Sequence, residues 1–138
     1  MVVSTNKEHF RTEVYAGSHH LLADEPKDVG GTDAGPSPYG YLTAALGACT
    51  AITVRMYADR KQWPLDSVMV RLTHAKIHAE DCADCDRPSS LIDKFERQIE
   101  LRGVLSPEQK QRLMEIADKC PVHKTLQSKV QIETRLKQ

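Results

Sequence analysis

The chain has 138 residues, 28% of them charged, and its 19 Lys and Arg are balanced by 19 Asp and Glu. That is the length of one domain, residues 1–138, with a single core. A net charge of zero supplies no positive field to gather nucleic acid or an anionic membrane surface, so neither is an expected partner.

The opening MVVSTNKEHF has neither the cationic start nor the apolar block of a secretory signal, which predicts a cytoplasmic protein. Residues His9–Ala16 then alternate, with Phe10, Thr12 and Val14 opposite Arg11, Glu13 and Tyr15, the period of a half-buried strand. His20–Asp24, beyond the turn-prone Ala16-Gly17-Ser18, is its hairpin partner. Glu25–Gly35 is a loop by its content of proline, glycine and Asp33.

From Ala34 to Val54 no residue is charged. Within that run a helix is predicted from Pro38, capped by Ser37 and ending before Pro64. Leu42, Ala45, Leu46, Cys49, Ile52, Thr53 and Met56 make one stripe, and Ala44, Ala48 and Ala51 a second face small enough for another helix to approach closely. Its proline-bearing entry leaves too few residues to cross about 30 Å of hydrocarbon, so a buried helix is expected rather than a membrane span.

Ser67–Glu80 returns to a period of two, with Val68, Val70 and Leu72 on one face, then changes phase at Ala75, Ile77 and Ala79; a bulge near Thr73 or His74 would explain the change. A polar loop leads to a strand at Ile92–Arg102, in which Arg97 falls on the apolar side. Ser106-Pro107-Glu108-Gln109 is a capping box opening a helix that places Leu113, Ile116, Ala117 and Cys120 on one face, with Pro121 as its end. Ser128–Leu136 alternates as a last strand. The order ββαββαβ describes an α+β domain with helices over one face of an antiparallel sheet, and the small-residue helix face asks for a second copy of the chain.

A buried cysteine is by default a small hydrophobe. Two of them, Cys49 and Cys120, at interior-facing helical positions and each beside Pro and Gly punctuation, raise a dithiol pair as the alternative. The stretch Gly35-Pro-Ser-Pro-Tyr-Gly-Tyr-Leu-Thr-Ala-Ala-Leu-Gly-Ala-Cys49, followed by Lys119-Cys120-Pro121-Val122-His123, resembles the OsmC/Ohr family of thiol-dependent peroxide-reducing proteins. Ala23-Asp24-Glu25-Pro26, Gly30-Gly31-Thr32 and Met56-Tyr57-Ala58-Asp59-Arg60-Lys61 are most similar to an OsmC-like subgroup related to domains fused to α/β-hydrolases, which implies an accessory role to an esterase. The chain itself has no Gly-x-Ser-x-Gly elbow.

The resemblance implies an OsmC-like α+β fold, an antiparallel sheet wrapped around two central helices in an intertwined homodimer. It also implies a peroxidase in which Cys49 attacks the distal oxygen of a small organic hydroperoxide and becomes a sulfenic acid. Cys120 would then close a disulfide that an external dithiol reductant reopens, with no cofactor required. Leu42, Leu46 and Met56 would form an apolar pocket. The best-characterised peroxidases of the family activate the cysteine with an arginine from the N-terminal hairpin and with a glutamate ten residues before it; Tyr39 stands at that second place here, where it could donate a hydrogen bond or serve as a wall, and the hairpin is read as offering His19 and His20 but no arginine. His20, His123, Lys124 and the inward Arg97 are the candidate sources of positive charge. The competing reading is a non-catalytic, redox-responsive dimer that binds a small apolar ligand.

Separately, His78, Cys82 and Cys85 supply three of the four ligands of a structural zinc, and His74 would lie on the face of His78 if the strand pairing is regular. A reversible disulfide or free thiols are the alternatives for the two cysteines.

Overall fold

All but the last of the alternating segments become strands and the uncharged run becomes a helix, but the boundaries differ from expectation in instructive ways. The computed structural model describes residues 1–5, 7, 9–78 and 91–137 and falls into two units, Met1–Ala44 and Ala45–Gln138.

The first unit is an antiparallel meander of β1 (Val2–Thr5), β2 (Thr12–Ala16) and β3 (His19–Ala23). The β2–β3 hairpin is the expected one, turning at Gly17 with φ +62°, a left-handed value that glycine adopts without a Cβ penalty. β1 was not expected, and β2 starts three residues later than the alternation suggested. Beyond β3 the chain enters the Glu25–Gly35 loop, which is organised around one carboxylate. Asp24 is 2% exposed, and its oxygens accept the amides of Glu25 (2.8 Å), Thr32 (3.0 Å) and Ala34 (3.1 Å) and the Thr32 hydroxyl (2.6 Å). Gly31 is required where the loop doubles back, since a Cβ there would lie 1.8 Å from the Glu25 carbonyl oxygen. Tyr41 ties the start of the following helix to β3 by donating its hydroxyl to the Leu22 carbonyl at 2.5 Å.

That helix, α1, spans Pro38–Arg60, and the Ser37 hydroxyl accepts the Gly40 amide as an N-cap should. In the second unit it meets a long antiparallel pair, β4 (Leu65–His78) with β5 (Leu91–Gly103), followed by α2 (Pro107–Ala117) and α3 (Pro121–Gln127). The core joins Val54 and Ala58 of α1, Leu65 of β4, and Leu113 and Ala117 of α2. α1 lies close on β4 at Gly47, where a Cβ would sit 2.7 Å from Leu72 Cδ1.

Four expectations change. The bulge near Thr73 or His74 is absent: pairing runs without a step from Ser67↔Arg102 to His78↔Leu91, and the one register shift lies between Leu65 and Ser67. His74 takes an inward slot instead, its ring 4.7 Å from that of Phe95 and one nitrogen 2.8 Å from Asp93. The buried face of α1 is Leu46, Gly47, Thr50, Val54 and Ala58, so Ala45, Ala48, Ile52 and Met56 face outward, the last two 58% and 66% exposed. Pro121 does not end a helix but starts one: α2 stops at Ala117, and Cys120 is the N-cap of α3 rather than part of a helix face. Finally, residues 129–137 form no strand with the described residues, and Val130, Ile132 and Leu136 are 60%, 83% and 93% exposed. Among the described residues no helix is long and apolar enough to cross a membrane.

The Thr32 hydroxyl above all, and then the amides around Asp24, outweigh burial and hold this carboxyl at about 2. A pKa lowered on folding stabilises the fold fully above the ordinary carboxylate value and ceases to do so as pH falls through about 2. Asp24→Asn is therefore expected to lower the melting temperature near neutral pH, with the gap between variant and parent closing as the solution is acidified from about 4 towards 2. Thermal scans across that range check it; a gap independent of pH would contradict it.

Candidate functional site

The capping box is what starts the site. Ser106 accepts the Gln109 amide while Gln109 reaches back to the Ser106 amide, fixing where α2 begins and hence where its eleven residues end, at Ala117. The short turn after it delivers Cys120, fully buried, against the middle of α1, where Cys49 and the Thr50 hydroxyl are among the groups that act on its thiol. The His123 amide donates to Cys120 Sγ at 3.4 Å, which caps α3. Cys49 is part-exposed, and the Val122 amide and the Thr53 hydroxyl are among the groups that favour its charged form. The two sulfurs thus face each other between α1 and the α2–α3 turn.

Their environments differ in a way that decides the charge. Burial, followed by the neighbouring sulfur, pushes the Cys49 thiol up. Burial also opposes charge on Cys120, but donors from Cys49, the His123 amide, Thr50 and the Val122 amide outweigh it and hold that thiol below its usual range. The two thiols are thus shifted in opposite directions, Cys49 up and Cys120 down.

Behind Cys120 stands Arg97, whose side chain is only 13% exposed. Its fork donates to Thr50 Oγ1 (2.9 Å) and the Ala117 carbonyl (3.2 Å) through one nitrogen, and to Asp118 Oδ1 (2.7 Å) and His123 Nδ1 (2.8 Å) through the other. A guanidinium has no lone pair to offer, so His123 Nδ1 must be the acceptor and the ring proton of that tautomer sits on Nε2. Thr50, fully buried, also donates its own proton to the Leu46 carbonyl at 2.7 Å.

Of the residues singled out in the sequence, Cys49, Cys120 and His123 come together here, with Arg97 joining them. Leu46 is buried one turn before Cys49, while Met56 points largely to solvent, so these two do not share a lining within the chain. His20, Tyr39 and Leu42 belong to the first unit. There His20 is held by the Glu13 carboxylate and stacked on Tyr15 at 4.8 Å, Tyr39 is 45% exposed with its carbonyl accepting the Thr43 hydroxyl, and Leu42 is half-buried. Arg11, passed over in the sequence, pairs with Glu13 at 3.4 Å in the same unit. His78 ends β4, but Cys82 and Cys85 lie outside the described residues; among those described no group of three or more metal-ligating side chains is gathered. Sequence reasoning also missed Thr50, an uncharged residue marked only by its helical phase with Leu46 and Val54, and Asp118.

A protein-family model described as OsmC-like protein matches residues 31–135. No curated protein sequence matches the chain significantly. Among solved structures, an OsmC-like protein from Mycoplasma pneumoniae superposes with a TM-score of 0.72 at 20% identity, covering 91% of this chain and 84% of its own. An organic hydroperoxide resistance protein, OsmC, from Legionella pneumophila gives 0.65 at 16% identity over 91% and 87%. An organic hydroperoxide resistance protein from Elizabethkingia anophelis, with thiocyanate bound, gives 0.65 at 17% over 89% and 84%. The fold is OsmC-like, α+β with antiparallel sheets and helices.

Sulfurs in contact should join before either finds another partner. Mild oxidation of the reduced protein is expected to yield a Cys49–Cys120 cross-link as the first disulfide in peptide maps; a first product that leaves Cys49 and Cys120 unlinked would contradict the geometry.

Proposed function

This chain belongs to the OsmC family, and we propose that it reduces organic hydroperoxides through the Cys49 and Cys120 thiols. The observation that supports this most is the asymmetry of the pair: one sulfur enclosed by hydrogen-bond donors, the other part-exposed and in contact with it. Two family relatives of the same fold carry organic hydroperoxide resistance in their names.

In this reading Cys120 acts twice. As a thiolate it first takes the proton of Cys49, whose sulfur attacks the distal oxygen of the hydroperoxide; the O–O bond breaks and Cys49 becomes a sulfenic acid. The departing alkoxide takes the proton back from Cys120 and leaves as the alcohol. Cys120, again a thiolate, attacks the Cys49 sulfur, forming the S–S bond as the S–O bond breaks and hydroxide departs. An external dithiol then reduces the disulfide by exchange, returning two thiols. No bound cofactor enters any step. Cys49 is the part-exposed sulfur and Cys120 the enclosed one, which fits the order of attack and resolution.

The working molecule in this proposal is a cytoplasmic homodimer. The outward stripe of Ala45, Ala48, Ile52 and Met56 is apolar along three turns of α1, and the alternating residues 129–137 carry exposed apolar side chains with no strand partner among the described residues. A second copy would cover both.

The pure protein with a dithiol is expected to consume cumene hydroperoxide. Cys49→Ser should lose activity by roughly 100-fold or more, and Cys120→Ser, which lacks both the base and the resolving thiol, should form the sulfenic acid at Cys49 more slowly and stall there, where it can be trapped. Activity of Cys49→Ser equal to the parent would overturn the assignment in favour of a ligand-binding dimer. For the assembly, sedimentation should give twice the 15.5 kDa of one chain, and Ile52→Glu with Met56→Glu should shift it to the monomer; a parent that sediments as a monomer refutes the dimer.

A further inference from the structure

We propose that Arg97 is a positioning residue whose charge is relayed to Cys120 through the hydroxyl of Thr50. The inference rests on the thiol-pair reading for its use in turnover, but its geometry stands without it.

Arg97 is planted on β5 opposite Leu72, on the inward side of the strand. A guanidinium so far from water must satisfy its donors locally, and its four acceptors come from α1 (Thr50), α2 (the Ala117 carbonyl), the C-cap of α2 (Asp118) and α3 (His123). These fix both nitrogens of the fork, so the group cannot swing. No direct contact with either sulfur is among its bonds. Its link to the thiols is Thr50, which accepts the Arg97 N–H at 2.9 Å and, buried on α1 as Cys120 is against it, is one of the groups that favour charge on Cys120.

Thr50 has one proton to give, and in the relay two acceptors compete for it, the Leu46 carbonyl and the Cys120 sulfur. With neutral sulfur it donates to the Leu46 carbonyl at 2.7 Å. That carbonyl also lies one helical turn before the Thr50 amide and keeps its backbone donor, so it can release the hydroxyl at little loss. A thiolate is the stronger acceptor, and towards it the hydroxyl turns while still receiving the Arg97 N–H. Polarised by the guanidinium, the hydroxyl becomes a better donor, and the chain Arg97–Thr50–Cys120 delivers positive potential to a buried sulfur without opening it to solvent. The groups that face the pair are therefore Cys49, Thr50 and Thr53 from α1, Arg97 from β5, Asp118 from the end of α2, and His123 from α3. In turnover the relay serves the step in which Cys120 thiolate attacks the Cys49 sulfenic acid and hydroxide leaves.

The test is the titration of Cys120 in the full chain carrying Cys49→Ser, read from the carbon NMR shift of isotope-labelled cysteine Cβ, which is site-resolved and needs no reagent to reach the sulfur. Thr50→Val removes the hydroxyl while keeping the shape, and is expected to cut the thiolate fraction at neutral pH about tenfold, a midpoint one unit higher. Thr50→Ser should restore the parent midpoint, Arg97→Met should match Thr50→Val, and Arg97→Lys should fall between. A Thr50→Val protein that keeps its circular dichroism and titrates like the parent overturns the relay, and so does an Arg97→Met shift that Thr50→Val does not share. A Thr50-dependent midpoint in a protein that consumes no hydroperoxide would sink the peroxidase reading and leave the relay standing.

Discussion

A charged group withdrawn from water has to be answered by its surroundings, and Arg97 is answered by four elements at once. Its strand supplies the anchor, and α1, the end of α2 and the first turn of α3 supply the acceptors. Leaving such a group unpaired would destabilise the fold by several kcal/mol, roughly the order of a whole domain's margin of stability. The three helices are consequently constrained in mutual position by one side chain, and with them Cys49 on α1 and Cys120 at the N-cap of α3. Packing of Val54, Ala58, Leu65, Leu113 and Ala117 brings the same elements together without direction; the guanidinium adds direction, since each of its N–H bonds points along a fixed line.

The same arrangement gives the two sulfurs unequal surroundings. Both are drawn from water and both are disfavoured as anions on that account, yet the donors are distributed unequally, two amides and a hydroxyl converging on Cys120 besides the Cys49 thiol. Thiolate chemistry in an apolar interior requires that kind of inequality, because a pair in equal surroundings would share its proton and hold its charge on neither member. The overall neutrality of the chain makes the local pattern matter more, as no long-range field from the rest of the molecule assists it.

Much of this was legible in the residues, and the failures have physical reasons. The capping box was read correctly because two side chains at fixed spacing satisfy two specific amides. Pro121 was misread because proline ends a helix behind it and begins one at its own position, and only the three residues from Asp118 to Cys120 distinguish the two. β1 escaped because all four of its residues are exposed, leaving no alternation to find. The change of phase after Leu72 was taken for a bulge, whereas His74 fills an inward position by virtue of the Asp93 carboxylate beside it. Residues 128–136 alternate convincingly, but alternation says which side would be covered and not whether the same chain covers it. At the site, Arg97 announced itself as a cation on the wrong side of a strand, while Thr50 carried no charge and no motif. Its importance is a matter of helical phase alone.

Cys120 is a ligand of two kinds of neighbour, the partner thiol and the first amides of α3. Sulfur accepts hydrogen bonds well as an anion and poorly once neutral or joined to another sulfur. The start of α3 thus rests on a sulfur, which accepts the His123 amide where an oxygen would ordinarily cap a helix. A seven-residue helix has little cooperativity of its own, so its first turn depends on that one contact more than the first turn of a longer helix would.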